Sequence, residues 1–199
     1  PTVRRPRFKG LLVPLVIWLA QYLRAKGLRP GIVSRGYGGR AKHWPQQVRP
    51  DSDPAAVGDE AVLLAGRTRC PMCVGPDRPA AVAALLAHTD VNIVISDDGL
   101  QHYALGRDIE IVVIDGERRF GNGWLLPAGP LREPRYRLKA ADMTIVNGTA
   151  RDGEYSMALC HPVLTSLDGQ RQGSLEELRD QPVHAVAGIG HPERFFEML

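Results

Sequence analysis

Hydrophobic residues in this chain occur in short apolar runs that are separated by amphipathic segments. The apolar runs predict buried β-strands at 31–34, 72–74, 91–95, 109–114, 143–146 and 183–187. Helical periodicity predicts helices at 14–26, 59–65, 79–87 and 192–199, with Gly27 as a C-cap. Strands that are apolar throughout and alternate with helices indicate a parallel sheet covered by helices on both faces. The sequence therefore predicts an α/β fold.

The remaining segments are predicted to be irregular. Residues 40–57 form a polar, Pro-rich loop, residues 121–134 form a loop rich in Gly and Pro, and residues 150–182 form a β-rich or irregular insertion. The apolar stretch Leu11–Leu23 spans 13 residues, fewer than the ~20 that a membrane-spanning helix needs. It continues with polar residues, which favours a buried helix over a signal-peptide core.

Composition and charge exclude some classes of function. The chain of 199 residues is 44% hydrophobic and 24% charged, as in an ordinary soluble globular protein. Its net charge of +3 is too small to indicate nucleic-acid binding, but it suits an anionic substrate or membrane surface. Three cysteines are too few for a disulfide framework, and the Cys70–Cys73 pair lacks a second pair for zinc. A reduced, partly buried pair in the cytoplasm is expected, with a redox-active pair as the alternative.

The strongest chemical signal lies at the end of the strand predicted at 91–95. Asp97 and Asp98 follow this strand directly, and a Gly turn, Gln101 and His102 come next. Adjacent carboxylates at the carboxyl edge of a sheet are how P-loop NTPases hold Mg²⁺ beside a nucleotide. The alternative is an ordinary Asp-Asp-Gly turn in a loop. We expect both carboxylates to lie at the end of a central parallel strand, in the same cleft as loop 34–39.

A Gly-rich loop, 34–39, follows the strand at 31–34. Its glycines would let backbone N–H groups approach an anion, and Arg35 could pair with a phosphate. A plain flexible turn is an equally good interpretation of the same residues.

The segment 119–134 mixes Trp124, Leu125 and Leu126 with several arginines. A surface that meets both acyl chains and phosphates needs both residue types. A loop packed on the core is the alternative.

Two further residues allow both a structural and a functional interpretation. Asp59 begins a predicted helix, where a carboxylate commonly caps the helix, or it could be a general base that accepts a proton from a hydroxyl nucleophile. His191 opens the last predicted helix and is interpreted as a capping or exposed histidine. The Cys160-His161 pair is interpreted as structural.

Taken together, these motifs resemble the tetraacyldisaccharide 4'-kinases of lipid A biosynthesis. The matching stretches occur in the family's order and are 31–39, 57–60, 74–78, 96–102, 120–134 and 188–196. The resemblance implies phosphoryl transfer from ATP to the 4'-hydroxyl of a tetraacylated disaccharide 1-phosphate, on the cytoplasmic face of the bacterial inner membrane. It implies a P-loop-NTPase-like parallel sheet and Mg²⁺ as a cofactor, and it implies no nucleic acid as a partner.

The resemblance also implies roles for individual residues. Asp59 corresponds to the catalytic carboxylate, and Asp97 and Asp98 correspond to the acids that bind Mg²⁺. The residues expected at the substrate and its phosphates are Arg35, Tyr37, Gln101, His102 and Arg119.

The sequence departs from the family at both ends. Where the family has a Walker A loop, this chain has residues 8–14, and Leu12 and Val13 stand in place of the phosphate-binding Lys and the Mg²⁺-binding hydroxyl. The family's His-bearing segment would lie beyond Leu199.

We therefore expect a fragment that is incomplete at both ends, with a non-family basic segment 1–13, a kinase core 14–150 and a truncated second lobe 151–199. Such a chain is expected to be inactive. The alternatives are a non-catalytic remnant that binds an anion or a lipid, and a different P-loop enzyme such as a dethiobiotin-synthetase-like ligase.

Overall fold

The computed structural model describes residues 12–158, 164–166, 170–180, 182–187 and 196. The chain divides into two compact units, of which the larger is Leu11–Met157 and the other includes the chain from Ala158 onward. The expectations for Cys160, His161, His191 and the helix at 192–199 lie outside the described residues, apart from position 196. The domain division predicted at residue 150 remains a prediction.

The larger unit contains a four-stranded sheet in the order β2-β3-β1-β4. Its strands are β1 (Pro30–Ser34), β2 (Gln46–Val48), β3 (Met72–Val74) and β4 (Ile93–Ser96). β1 pairs in parallel with β3 and with β4, whereas β2 is antiparallel to β3. The strands predicted at 31–34, 72–74 and 91–95 are thus confirmed. The loop prediction for 40–57 is wrong at β2 and at the short helix Pro54–Val57. A Gln-Gln-Val edge strand has no apolar run that would reveal it, and a single helical turn is too short to show periodicity.

Four helices accompany this sheet: α1 (Leu12–Ala25), α2 (Pro54–Val57), α3 (Asp59–Thr68) and α4 (Arg78–His88). The predicted C-cap of α1 is confirmed, since Gly27 has φ 81°. Its N–H donates to Arg24 O at 2.9 Å, and the N–H of Leu28 donates to Leu23 O at 3.1 Å. These are the two bonds of a Schellman motif, and a glycine adopts the required left-handed conformation without strain.

Helices pack on both faces of the first sheet, as the sequence predicts. Ile32 and Met72 face a cluster formed with α1 and α3. Val33 and Cys73, one residue further along the same strands, face α4 instead. This alternation follows from the two-residue period of a strand. Cys70 and Cys73 are both buried free thiols, and burial raises the pKa of both. That the pair is reduced in the cell remains a prediction.

A second sheet is formed by β5 (Ile111–Asp115), β6 (Met143–Asn147) and β7 (Tyr155–Met157). Its strands are all parallel, in the order β5-β6-β7. The described part of the chain therefore has two separate sheets that contain parallel strands, whereas the sequence predicted one. Only Ile114 and Val146 are buried in the second sheet. Its faces are more exposed because the residues from 89 to 158 contribute no α-helix to cover them.

The unit beyond Met157 contains a short antiparallel pair, β8 (Leu164–Thr165) and β9 (Gln172–Gly173). The strand predicted at 183–187 is wrong, since residues 182–187 have no regular structure. Val183 and Val186 are 55% and 88% exposed, so this apolar run is not buried in a sheet. No helix in the described part of the chain combines the length and the hydropathy that crossing a bilayer would need.

Close packing between β1 and α4 predicts a large effect of one added methyl group. A Cβ at Gly31 would lie 2.8 Å from both Leu85 Cδ2 and Val91 Cγ2. We expect Gly31→Ala to lower the free energy of unfolding in urea by about 1–3 kcal/mol through overpacking. Gly66, inside α3, has no atom within 4 Å of the same position. Gly66→Ala is the matched control and should raise stability by about 0.5–1 kcal/mol. Equal effects of the two variants would contradict this account of the packing.

Candidate active site

Three loops meet at the carboxyl edge of the first sheet, because β3, β1 and β4 are parallel and end there together. They are the segment before α4, the Gly-rich loop after β1, and residues 97–103 after β4. In open α/β sheets ligands bind beyond this edge. The sequence-predicted residues Arg35, Tyr37, Asp97, Asp98, Gln101 and His102 all lie on these loops.

Asp97 is held against the end of β1. Its backbone N–H donates to Val33 O at 2.9 Å, and its Oδ2 accepts a hydrogen bond from Ser34 Oγ at 3.0 Å. The side chain is buried, whereas Asp98 is exposed and has φ 50°. Asp97 therefore lies beside the Gly-rich loop, as expected. The expected central position is wrong for the described sheet, since β4 is its last strand.

The electrostatic environment of Asp97 disfavours its charge. Burial raises the pKa of Asp97, and the carboxylates of Asp98 and Glu60 raise it further. The hydrogen bond from Ser34 and the charge of Arg78 oppose this shift without cancelling it. Three carboxylates thus gather at the sheet edge, an arrangement that a cation would stabilise.

Arg78 links the two strand ends. Its guanidinium Nη1 donates to Asp97 O at 2.7 Å, to Ser96 Oγ at 3.1 Å and to Val33 O at 3.4 Å. Arg78 is only 2% exposed, and burial lowers its pKa. Its contacts hold the backbone from which Asp97 and Asp98 project.

Asp59 begins α3, and this end of the helix packs against the Gly-rich loop. A Cβ at Gly58, the residue before it, would lie 2.6 Å from Tyr37 O and 3.3 Å from the carbonyl carbon of Gly36. The carboxylate of Asp59 is exposed, and its Oδ1 accepts from the backbone N–H of Glu60 at 2.9 Å. Asp59 therefore lies on the surface beside the Gly-rich loop, near the same edge of the sheet. It is also bonded to the first turn of its own helix.

Arg35 and Tyr37 are both exposed on the Gly-rich loop. Arg35 is close enough to Arg78 for the two positive charges to interact. Positive charge therefore lies at this loop, next to the carboxylates described above.

Gln101 connects the loop after β4 to the segment after residue 130. Its Nε2 donates to Glu133 Oε1 at 2.8 Å, and its Oε1 accepts from Arg132 at 3.2 Å. Tyr103 OH donates to the second oxygen of Glu133 at 2.5 Å. The Nε2 atom of His102 is buried and has no hydrogen-bond partner among the described residues. This nitrogen thus retains the capacity for one further hydrogen bond.

Arg119 is placed differently from the other predicted residues. It follows β5 of the second sheet, and its guanidinium forms a two-point ion pair with Glu154, just before β7. This hydrogen bonding lowers the pKa of Glu154. The geometry gives Arg119 a partner of its own and does not bring it into contact with Asp97 or the Gly-rich loop.

Ser34, Glu60, Arg78 and Glu133 contribute to this site without having been assigned a role from the sequence. A signal was available for Arg78, because a cation at the first position of a helix is opposed by the helix dipole and needs another reason to be there. The contacts of the other three join segments distant in sequence and leave no local pattern.

The carboxylates at this edge could supply part of a Mg²⁺ coordination shell, with substrate phosphates supplying the rest. No group of three or more His, Cys, Asp or Glu side chains is arranged to hold a metal in the described parts of the chain. Mg²⁺ is seldom held in an all-protein cage, and one or two carboxylates together with substrate phosphates commonly suffice. Asp97 and Asp98 supply oxygen ligands of that type.

The fold and the carboxylates at the sheet edge define an α/β protein of the P-loop-NTPase type. A solved structure of an "apo" form LpxK from Aquifex aeolicus in complex with ATP is similar, with a TM-score of 0.76 and 25% identity. The match covers 96% of this chain and 62% of that one.

Sequence comparison identifies the family. Residues 13–199 match the family model of LpxK, the tetraacyldisaccharide-1-P 4'-kinases. A curated tetraacyldisaccharide 4'-kinase from Nitrosococcus oceani is 61% identical over 189 residues, which is 94% of this chain and 55% of that protein. The chain belongs to the tetraacyldisaccharide 4'-kinase family, and it spans about half the length of this curated relative. The family resemblance of the motifs is confirmed.

The contacts of Arg78 predict a large loss of stability when its charge is removed. Arg78→Met removes the donor to the carbonyl of Asp97 and weakens the link to β1, and we expect it to lower the free energy of unfolding by about 2–4 kcal/mol. Arg67, exposed in the last turn of α3, provides the control. Arg67→Met should change stability by less than about 0.5 kcal/mol. Similar urea midpoints for both variants would contradict the bridging role of Arg78.

The raised pKa of Asp97 predicts a pH-dependent gain in stability on neutralisation. Because the folded state binds this proton more tightly than the unfolded chain, stability falls as pH rises from the ordinary carboxylate pKa through the raised value. Asp97→Asn keeps an acceptor for Ser34 and removes this penalty. We expect the variant to be more stable at pH 7 by on the order of 1 kcal/mol. In urea titrations the gain should shrink toward pH 4, and a gain independent of pH would contradict the assignment.

Proposed function

We propose that this chain carries the core of a kinase that transfers the γ-phosphate of ATP to the 4'-hydroxyl of a tetraacyldisaccharide 1-phosphate in lipid A biosynthesis. Membership of the family supports the reaction. The observation that carries the site is the contact between Ser34 and Asp97, which joins the ends of β1 and β4 beside the first turn of α3. It fixes the carboxylate of Asp97 at this edge, and phosphoryl transfer requires charged groups that are held in position around the phosphates.

The acids have separate proposed roles. Asp97 and Asp98 would hold Mg²⁺, which when bound neutralises charge on the phosphate oxygens. Asp59, exposed at the mouth of the site, would accept the proton of the attacking hydroxyl. The bond from the Glu60 N–H leaves its second oxygen without a bond to this helix turn.

The substrate and its phosphates are proposed to contact the remaining predicted residues. Arg35 and Tyr37 are exposed beside the acids, and the Nε2 atom of His102 is buried without a hydrogen-bond partner among the described residues. Gln101 is oriented by Glu133 and Arg132. The guanidinium of Arg119 pairs with Glu154. Arg119 belongs to this set only if a phosphate binds the guanidinium together with Glu154 or in its place.

The protein is proposed to act at the cytoplasmic face of the inner membrane, where it would meet its lipid substrate. This location rests on the family and on the nature of the substrate.

Residues 8–13 lead us to propose that the chain as written does not turn over ATP. Leu12 and Val13 have no donor for a phosphate and no ligand for Mg²⁺. A non-catalytic remnant that binds an anion or a lipid is the second candidate, and this departure is what favours it. Replacing residues 8–14 by a Walker A loop and assaying lipid phosphorylation would separate the two.

The proposed roles are tested with labelled ATP, Mg²⁺ and the lipid disaccharide, on this chain and on the full-length relative from Nitrosococcus oceani. We expect the chain to be at least ~10³-fold slower, because phosphate contacts contribute several kcal/mol to the transition state. In the relative, the substitution equivalent to Asp59→Ala should lower kcat at least ~100-fold, the scale of general-base loss.

Stability measurements on the same variant serve as its control. If Asp59 only stabilises the first turn of α3, the substitution should lower the free energy of unfolding by at most about 1 kcal/mol and change kcat only a few fold. A rate for this chain within ~10-fold of the relative would show that residues 8–13 have been aligned wrongly with the Walker A loop.

A further inference from the structure

The loop between β5 and β6 exposes three large apolar side chains in succession. Every residue from 121 to 128 is exposed. Trp124, Leu125 and Leu126, here called the apolar tip, are 67%, 45% and 54% exposed. Single exposed apolar residues are common on protein surfaces, but consecutive ones of this size usually mark a surface that meets another apolar phase.

The apolar tip stands on an ordered backbone. The N–H of Leu126 donates to Leu131 O at 2.8 Å, and the N–H of Leu131 donates to Trp124 O at 3.1 Å. Asn122 closes the loop, since its Nδ2 donates to Ala128 O at 2.9 Å and its Oδ1 accepts from the Trp124 N–H at 3.1 Å. These bonds present the tip in a fixed conformation, so little conformational entropy would be lost when it binds.

The charges around the apolar tip are almost all positive. Between residues 118 and 139 the only acidic residue is Glu133, and it is bonded to Gln101, Tyr103 and Arg137. Exposed cations in the same segment are Arg118, Arg132, Arg135 and Lys139. Apolar side chains framed by Arg and Lys match the boundary between acyl chains and anionic headgroups.

The stem of the loop reaches the candidate active site. Arg132 donates to Gln101 Oε1 at 3.2 Å, and Gln101 follows the acidic pair at the end of β4. A bilayer at the apolar tip would therefore lie next to the loop that is proposed to bind the lipid substrate.

We propose that the apolar tip inserts into the headgroup region of an anionic lipid bilayer, with Arg132, Arg135 and Lys139 contacting lipid phosphates. The inference rests on the proposed function for the lipid nature of the substrate, while the surface itself follows from exposure and charge.

Co-sedimentation with vesicles tests this surface on the whole chain. The vesicles are phosphatidylcholine alone, or phosphatidylcholine with about one third phosphatidylglycerol. We expect binding to the anionic vesicles that weakens as salt is added. Replacing all three tip residues by serine should lower the partition coefficient at least about tenfold.

The control removes exposed aromatic surface elsewhere. Trp18 and Tyr22 stack on α1 with ring centroids 5.2 Å apart and are 56% and 46% exposed. The double variant Trp18→Ser, Tyr22→Ser should bind vesicles as the parent does. Circular dichroism and thermal unfolding establish that each variant is folded.

A second measurement reports how deeply Trp124 enters the bilayer and does not depend on how tightly the chain binds vesicles. Spin-labelled lipids should quench tryptophan fluorescence of the parent chain, and Trp124→Phe should abolish most of this quenching. Unchanged vesicle binding in the triple variant, or undiminished quenching in Trp124→Phe, would overturn the proposal. Because the vesicles contain neither ATP nor the disaccharide, this outcome would leave the proposed kinase function untouched.

Discussion

A buried guanidinium holds together the two strand ends on which the candidate active site is built. Arg78 donates to carbonyl groups that terminate β1 and β4, at Val33 and Asp97. The carbonyl of Asp97 lies just beyond β4, and a buried carbonyl without a donor would be costly. A single planar group with several N–H donors satisfies this carbonyl and also reaches β1. The position of Asp97 against Ser34 depends on it.

A second guanidinium fixes the far end of the same loop. Arg107 donates to Leu100 O at 3.0 Å and to His102 O at 2.9 Å, and it pairs with Glu110 at 2.9 Å. Glu110, which lies just before β5, also accepts from Arg137 at 2.7 Å. The loop from 97 to 103 is thus fixed by arginines from both sides. These arginines bond only to backbone carbonyls of the loop and not to the carboxylates of Asp97 and Asp98.

Local patterns in the sequence predicted the elements that are locally determined. The buried strands of the first sheet follow from apolar runs, and the C-cap at Gly27 follows from a glycine after a periodic segment. The strand predicted at 183–187 failed because an apolar run indicates burial only where other elements cover it. The partners of Arg78 could not be predicted, because they lie 45 and 19 residues away in sequence. The two-sheet arrangement likewise depends on which strands pair, and periodicity carries no information on pairing.

The features that cost this fold stability are also the ones that its proposed chemistry needs. Ionised Asp97 is buried beside other carboxylates, which destabilises the folded chain until a cation arrives. The apolar tip exposes surface that a protein selected only for stability would cover. Both are held by hydrogen bonds from neighbouring segments, and Arg132 and Gln101 join the two regions directly. A preorganised site needs reactive groups that neighbouring segments hold rigidly in place, even where those groups destabilise the fold. The energy of arranging them is then part of the folding free energy and does not add to the reaction barrier.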